Sequence, residues 1–207
     1  KSTYLRQAAL IVIMGHVGSF VPADQARLGV IDAVYCRVGA SDNISRGEST
    51  FLVEMAETSR IRRLARPTSL VIMDEIGRGT GSDDGLAIAR AVMEYLLHKV
   101  RSKTLFATHF RELTTVDHPG LSNRSMAVLE RDGDVVFLKT VVDGPADRSH
   151  GIHVARMAGI PRSVSDLAAQ YLDGLRLTAP PEKALEPLKG DDSQKGPLVD
   201  ERPSVRS

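Results

Sequence analysis

The sequence predicts an α/β domain with a mostly parallel sheet flanked by helices, because strand-like runs alternate with amphipathic helical stretches. Two short runs, 70–73 and 103–108, are apolar at their centres and are followed by acidic residues or a histidine. The run 70–73 is typical of a central strand that is covered on both faces. The stretch 83–100 between them carries an apolar stripe at helical spacing, as expected of a helix that connects two parallel strands.

Composition sets the outer limits of the interpretation. The chain has 207 residues, a formal net charge of +1, 42% hydrophobic and 26% charged residues, which is an ordinary balance for a globular protein. This length predicts one domain, or one domain with an appendage. The charge gives no electrostatic argument for nucleic-acid binding by this stretch. The single cysteine, Cys36, excludes an internal disulfide framework, and we expect it to be buried in a strand rather than reactive.

No membrane segment or secretory signal is predicted. The longest apolar run covers residues 8–14, which is far too short to span a bilayer. The start of the chain also lacks the pattern of a secretory signal peptide.

Three elements precede the first apolar run. Residues 2–14 are predicted to form a helix, because apolar side chains recur at helical spacing until Gly15. Residues 31–38 are rich in β-branched and aromatic side chains, which favours a strand. After a polar loop, residues 49–65 are predicted to form a second helix, and Pro67 prevents its continuation.

The later part of the chain changes character. Residues 125–129 and 135–142 are strand-like and flank an Asp-Gly dipeptide at 132–133, which is typical of a tight hairpin turn. Residues 151–158 and 161–175 then show helical periodicity. The sequence therefore predicts a β-hairpin followed by a helical pair.

These patterns divide the chain into three parts. We assign residues 1–145 to the α/β domain, 146–177 to a helical element and 178–207 to a tail. Five of the ten prolines fall in that last segment, together with charged residues and few large apolar side chains. This composition predicts a disordered tail.

The chain opens with Lys1-Ser2-Thr3 directly before the first predicted helix. A phosphate-binding loop of the form G-x-x-x-x-G-K-[ST] ends where a helix begins, with its lysine at the β- and γ-phosphates and its hydroxyl on Mg²⁺. A Lys-Ser dipeptide also occurs by chance. The pattern therefore gains weight only from the motifs further along the chain.

The run 70–73 is followed by Asp74 and Glu75, which is the Walker B arrangement. A buried strand would aim Asp74 at a metal ion. Glu75, one residue further on, could polarise an attacking water molecule. The alternative is a strand that ends in an acidic loop with no catalytic role.

His109 follows the strand at 103–108, at the sheet edge where open α/β proteins bind ligands. It could sense a γ-phosphate or orient water, and the alternative is an ordinary hydrogen-bonded histidine. The spacing of the other histidines does not indicate a metal site.

A polar segment at 45–51 opens the second predicted helix. Ser49 or Thr50 can cap that helix, which is a purely structural role. The free N–H groups and the helix dipole at the same place also favour a bound phosphate, which is the functional interpretation.

Several segments agree in order and spacing with one family. They are DEIGRGT at 74–80, STFLVEM at 49–55, FATHFREL at 106–113, VGSFVPA at 17–23, RVGA at 37–40 and SHGI at 149–152. Together they resemble the MutS family of DNA mismatch-repair proteins, from residue 1 to about residue 175. The form of the first segment favours the mismatch-repair branch over the paralogous branch that acts in recombination or ribosome rescue.

This resemblance implies a P-loop ATPase domain of the ABC type that dimerises, with composite nucleotide sites across the interface. By position, Lys1 resembles the P-loop lysine and Ser2 the hydroxyl that ligates Mg²⁺, with Thr3 on the same turn. Asp74 would bind the metal ion and Glu75 would act on the attacking water.

The remaining roles also come from the resemblance. His109 resembles the switch histidine, and Ser49 resembles the signature serine that acts on the γ-phosphate held by the other subunit. The helical pair at 151–175 resembles the family's helix-turn-helix dimerisation element. The implied cofactors are ATP and Mg²⁺. The implied partners are a second subunit, a MutL-type protein and mismatched double-stranded DNA, which would be bound by domains outside this sequence. The implied location is the bacterial cytoplasm, at the nucleoid.

The sequence departs from the family pattern at three places. The glycine-rich part of the phosphate loop is missing before Lys1, so we expect a fragment that begins inside that loop. The family's Ser-Thr-aromatic-Asp-Gly segment is replaced by GSDDG at 81–85, which casts doubt on the packing of a cross-subunit loop. His150 stands where a tyrosine is usual.

Two other interpretations remain open at this point. Another ABC-type ATPase would carry an LSGGQ-like signature, whereas this chain has SRGESTF at 45–51. A non-catalytic dimerisation module would explain the missing phosphate loop.

Overall fold

The computed structural model describes residues 1–38, 50–131, 134–146 and 149–178. A three-stranded parallel sheet with helices on both faces is followed by an antiparallel strand pair and two helices. The helices and strands, in chain order, are α1 (Ser2–His16), β1 (Val34–Arg37), α2 (Thr50–Leu64), β2 (Leu70–Asp74), α3 (Ser82–Tyr95), β3 (Lys103–Ala107), β4 (Arg124–Arg131), β5 (Asp134–Asp143), α4 (Gly151–Met157) and α5 (Arg162–Thr178).

Strand β2 is the centre of the parallel sheet. It pairs with β1 on one side and β3 on the other, and all five of its residues are buried. Because side chains alternate across a strand, Leu70 and Ile72 face one side of the sheet while Val71 and Met73 face the other. The mixed α/β architecture and the buried central strand predicted from the sequence are therefore confirmed.

Helices cover both faces of this sheet. Leu5 and Ala9 of α1 pack with Leu70 and Ile72 on one face. On the opposite face, α2 and α3 contribute Ile61, Ala89 and Met93 to the cluster that contains Val71 and Met73. The connections from β1 to β2 and from β2 to β3 run in the same direction, so right-handed crossovers place both helices on one face. This layering places the carboxyl ends of the three parallel strands at one edge of the sheet.

The helix predicted over 83–100 is observed as α3 followed directly by one further helical turn. Its last turn, Leu96–Val100, is a π-helix, closed by a hydrogen bond of 2.7 Å from the backbone N–H of Arg101 to the Leu96 carbonyl. At its start Gly81 is the N-cap, and Asp83 and Asp84 lie in the first turn. Acidic side chains there interact favourably with the helix dipole, so the GSDDG departure is compatible with the fold of this subunit.

The prediction that Cys36 is buried is wrong, because its side chain is exposed. β1 is an edge strand of the described sheet, and α1 makes its main contacts with β2 and β3. Partial desolvation nevertheless raises the pKa of the Cys36 thiol, with the Arg6 charge opposing that effect. The thiol is therefore not activated as a thiolate.

The last part of the described chain is built on β4 and β5, which pair antiparallel. The predicted turn at 132–133 and the predicted tail from 179 onward lie outside the described residues. His153 of α4 accepts a hydrogen bond of 2.9 Å at Nε2 from the backbone N–H of Val135, which joins the helical pair to the strands. Of the helices that the structure describes, none is long and apolar enough to cross a membrane.

Candidate active site

The candidate site lies where β2 and β3 end. Asp74 is the last residue of β2 and pairs in register with Ala107, the last residue of β3. Thr108 and His109 follow immediately. Parallel strands present their carboxyl ends at one edge of the sheet, which is where open α/β proteins bind ligands.

Asp74 has a buried carboxylate with one oxygen that makes no hydrogen bond in the described part of the chain. The residue is 8% exposed, and its Oδ1 atom has no hydrogen-bond partner in the described part of the chain. An ionised carboxylate is expensive to bury without a compensating charge or donor, so this oxygen fits a cation ligand. Mg²⁺ is commonly held by one or two carboxylates together with substrate phosphates. The described residues contain no group of three His, Cys, Asp or Glu side chains that could bind a metal on their own.

Glu75 turns away from the strand in an unusual backbone conformation. Its φ angle is 57°, in the left-handed region that a non-glycine residue adopts at a cost of about 1–3 kcal/mol. Its backbone N–H donates to the Ala107 carbonyl at 2.9 Å, so the peptide stays attached to β3. The carboxylate therefore projects from a fixed point at the sheet edge.

Lys1 reaches the same edge from the start of α1. Its Nζ donates a hydrogen bond of 2.7 Å to the Thr108 carbonyl and lies 3.4 Å from Oε1 of Glu75. The structure thus brings together Lys1 and Glu75, two predicted site residues far apart in sequence. Ser2 is the first residue of α1 and is half-buried, while Thr3 is exposed. Ser49 lies outside the described residues.

Arg78 belongs to this site although the sequence patterns assigned it no role. Its Nη1 atom lies 2.6 Å from Oε2 of Glu75. Glu75 therefore contacts two cations, Lys1 and Arg78, one through each oxygen. The three-residue spacing between Glu75 and Arg78 is the signal that would have indicated the pair, since a tight turn brings such positions together.

His109 is held neutral by its surroundings. Its ring packs on that of Phe110, with 4.0 Å between the centroids. Desolvation is the largest cause that lowers its pKa below the ordinary 6.5, and the positive charges of Arg78 and Lys1 act in the same direction. Glu75 and Glu112 oppose the shift. Because the pKa lies below its ordinary value, the imidazole is mainly neutral at pH 7.

We expect Arg78→Ala to raise the pKa of His109, because the variant removes a positive charge that disfavours the imidazolium ion. The measurement is an NMR titration of the His109 ring proton in the 207-residue chain, assigned by its loss in His109→Gln. Arg63→Ala, which removes a positive charge from the exposed surface of α2, is the control and should leave the midpoint unchanged. An unchanged or lower midpoint in Arg78→Ala would contradict the electrostatic assignment.

Comparison with known proteins identifies the family. The family model described as MutS domain V matches residues 1–176. The chain is 58% identical over 179 residues to the DNA mismatch repair protein MutS of Treponema pallidum (strain Nichols), covering 86% of this chain and 20% of that protein. It is 56% identical over 176 residues to the DNA mismatch repair protein MutS of Borrelia turicatae (strain 91E135), covering 84% of this chain and 20% of that protein.

The chain thus spans about a fifth of the length of these relatives. The matched region includes every described element that contributes to the candidate site, from Lys1 through His109. With a family model matching residues 1–176, the chain belongs to the MutS domain V family.

Proposed function

We propose that this chain is the ATP-binding and ATP-hydrolysing domain of a MutS protein that recognises mismatched DNA and initiates its repair. The proposal rests above all on one observation, the meeting of Lys1 and Glu75 beside the unpartnered Oδ1 atom of Asp74. A cation, a carboxylate that can polarise water and a free metal-binding oxygen are the groups that hydrolysis of the γ-phosphoanhydride bond of ATP needs. The relatives' name, DNA mismatch repair protein MutS, supports the biological context.

In this mechanism the residues of the chain would surround MgATP, whose Mg²⁺ ion would supply positive charge to the phosphates. Lys1 places its ammonium group against the β- and γ-phosphates, and Thr3 lies on the same turn. The oxygens of Ser2 and Asp74 would hold Mg²⁺. Glu75 orients and polarises the attacking water molecule.

His109 completes the group of catalytic residues in this proposal. Its neutral ring is able to donate one hydrogen bond and accept another, so it can contact the γ-phosphate while orienting water. A lowered pKa keeps that dual capacity at pH 7.

A second subunit is the proposed partner for the composite site, with Ser49 acting on the nucleotide of the other subunit. The exposed apolar side chains of α5 support pairing, because Val164, Leu167, Tyr171 and Leu175 recur at helical spacing. In the parent protein, other domains would bind mismatched DNA, and a MutL-type protein would be a further partner. The parent protein would be located at the bacterial nucleoid.

The isolated 207-residue chain is expected to show no ATP turnover above background. The glycine-rich loop whose backbone N–H groups cradle the phosphates is not among its residues, so phosphate binding is incomplete. The full-length protein that carries this domain is expected to hydrolyse ATP and to bind a duplex with one mismatched pair more tightly than a fully paired duplex. Phosphate release and DNA-binding titrations measure the two properties.

The two samples separate the proposed function from its alternatives. Turnover by the isolated chain that disappears in Glu75→Ala would contradict the requirement for the missing loop. Absence of hydrolysis by the full-length protein would instead favour the non-catalytic dimerisation module.

A further inference from the structure

Glu54 is a buried carboxylate in the first half of α2 that has no role in the proposed mechanism. Its side chain is 7% exposed. Oε1 accepts a hydrogen bond of 2.6 Å from the backbone N–H of Gly77, and Oε2 lies 3.5 Å from Nη2 of Arg37, whose side chain is 5% exposed. One carboxylate therefore connects the end of β1, the helix α2 and the turn that follows β2.

The turn after β2 contacts α2 at a second point. Gly79 lies so close to Phe51 that a Cβ atom at Gly79 would be 2.9 Å from the Phe51 Cβ. The turn that begins with Glu75 is thus held by α2 at two positions, Gly77 through a charge-assisted hydrogen bond and Gly79 through close packing. A shift of α2 cannot leave this turn in place without breaking both contacts.

Stability alone is a weak explanation for such a buried ion pair. Desolvation of both ions offsets much of their attraction, and apolar replacements of similar volume are often as stable or more stable. The specific consequence of Glu54 is geometric, since its Oε1 fixes the peptide of Gly77, two residues from the proposed catalytic carboxylate.

We propose that Glu54 is a positioning residue that ties the orientation of Glu75 to the position of α2. This inference rests on the proposed function, in which the residue just before α2, Ser49, acts on the nucleotide of the other subunit. Glu54 then connects the turn that begins with Glu75 to α2 of the same subunit, and the residue before that helix, Ser49, acts on the partner's nucleotide. The α2 helix of each subunit therefore influences both ATP sites of the dimer.

The first test compares Glu54→Gln with Glu57→Gln in the full-length protein. The amide introduced by Glu54→Gln retains an acceptor for Gly77 but lacks the charge that faces Arg37. Glu57 also contacts Arg37, at 3.0 Å from its Nε, but its side chain is 52% exposed, which makes it the matched control. With enzyme in excess over ATP, we expect Glu54→Gln to lower the single-turnover rate constant about 10- to 100-fold and Glu57→Gln to change it less than about twofold.

This readout separates positioning from loss of folded protein. A single-turnover rate constant describes bound ATP only, so a smaller folded fraction lowers the nucleotide stoichiometry and leaves the rate constant unchanged. A normal rate constant in Glu54→Gln overturns the proposal, whatever the stoichiometry. Absence of hydrolysis by the unaltered protein is a different result, which overturns the proposed function itself.

Mixed dimers test the link between the two sites. In the reference dimer, one subunit carries Glu75→Ala, so only its partner hydrolyses ATP. Glu54→Gln is then added either to the hydrolysing subunit or to the Glu75→Ala subunit. In the proposed dimer, Ser49 of the Glu75→Ala subunit acts on the nucleotide that its partner hydrolyses. We expect at least about threefold slower single turnover than the reference in both dimers. An unchanged rate in either dimer overturns the inference.

Discussion

Replacement of Glu75 by alanine is expected to lower the single-turnover rate of ATP hydrolysis by the full-length protein about 10²- to 10⁴-fold, the usual contribution of a positioned general base. Glu75 is held in place by its backbone bond to Ala107 and is flanked by the cations of Lys1 and Arg78. Alanine removes the carboxylate that would polarise the water while leaving the proposed phosphate and metal contacts intact.

Nucleotide binding distinguishes this effect from a damaged site. We expect Glu75→Ala to retain ATP affinity within a few fold, since its proposed role concerns the attacking water and not the phosphates. Asp117→Asn, at an exposed position, is the control and should hydrolyse ATP at the normal rate. Hydrolysis by Glu75→Ala at the unaltered rate would refute the water-polarising role.

The site could be predicted from sequence where its residues lie on one local pattern. An apolar run followed by Asp74 and Glu75 is recognisable because a buried strand ending in carboxylates leaves few other arrangements. The distance between Lys1 and Glu75 is different, because it depends on how α1 packs on the sheet. Resemblance to a family supplied that pairing, and periodicity alone did not.

The burial of Glu54 and the exposure of Cys36 could not be predicted from local sequence patterns. Glu54 lies on a helix with many polar residues, where a carboxylate is ordinarily expected in solvent, yet its side chain is buried. Its environment is determined by Arg37 and Gly77, which come from other elements. Cys36 lies in a strand that the sequence pattern predicts to be buried, but this strand is at the edge of the described sheet and the Cys36 side chain is exposed. Both outcomes depend on tertiary packing, which local patterns do not encode.

Replacement of Gly77 by alanine is expected to destabilise the 207-residue chain by about 3 kcal/mol, from backbone strain and overpacking combined. Gly77 has a φ angle of +93°, which side chains rarely tolerate, and a Cβ atom there would overlap the backbone carbonyl of Gly85 in the first turn of α3. Neither backbone can retreat easily, since Gly77 donates to the buried Glu54 and the Gly85 N–H donates to the Gly81 carbonyl at 2.8 Å.

Gly81 provides the matched control for this substitution within the same segment. Its φ angle is −58°, and a Cβ atom added there meets nothing within 4 Å. Gly81→Ala should therefore cost no more than about 1 kcal/mol, which is the effect of a poorer N-cap residue alone. Urea unfolding followed by circular dichroism measures both variants, and equal midpoints for the two would show that the Gly77–Gly85 contact does not constrain the turn. A midpoint for Gly77→Ala well below that of Gly81→Ala would show that the close approach of the Gly77 and Gly85 backbones constrains the turn that begins with Glu75.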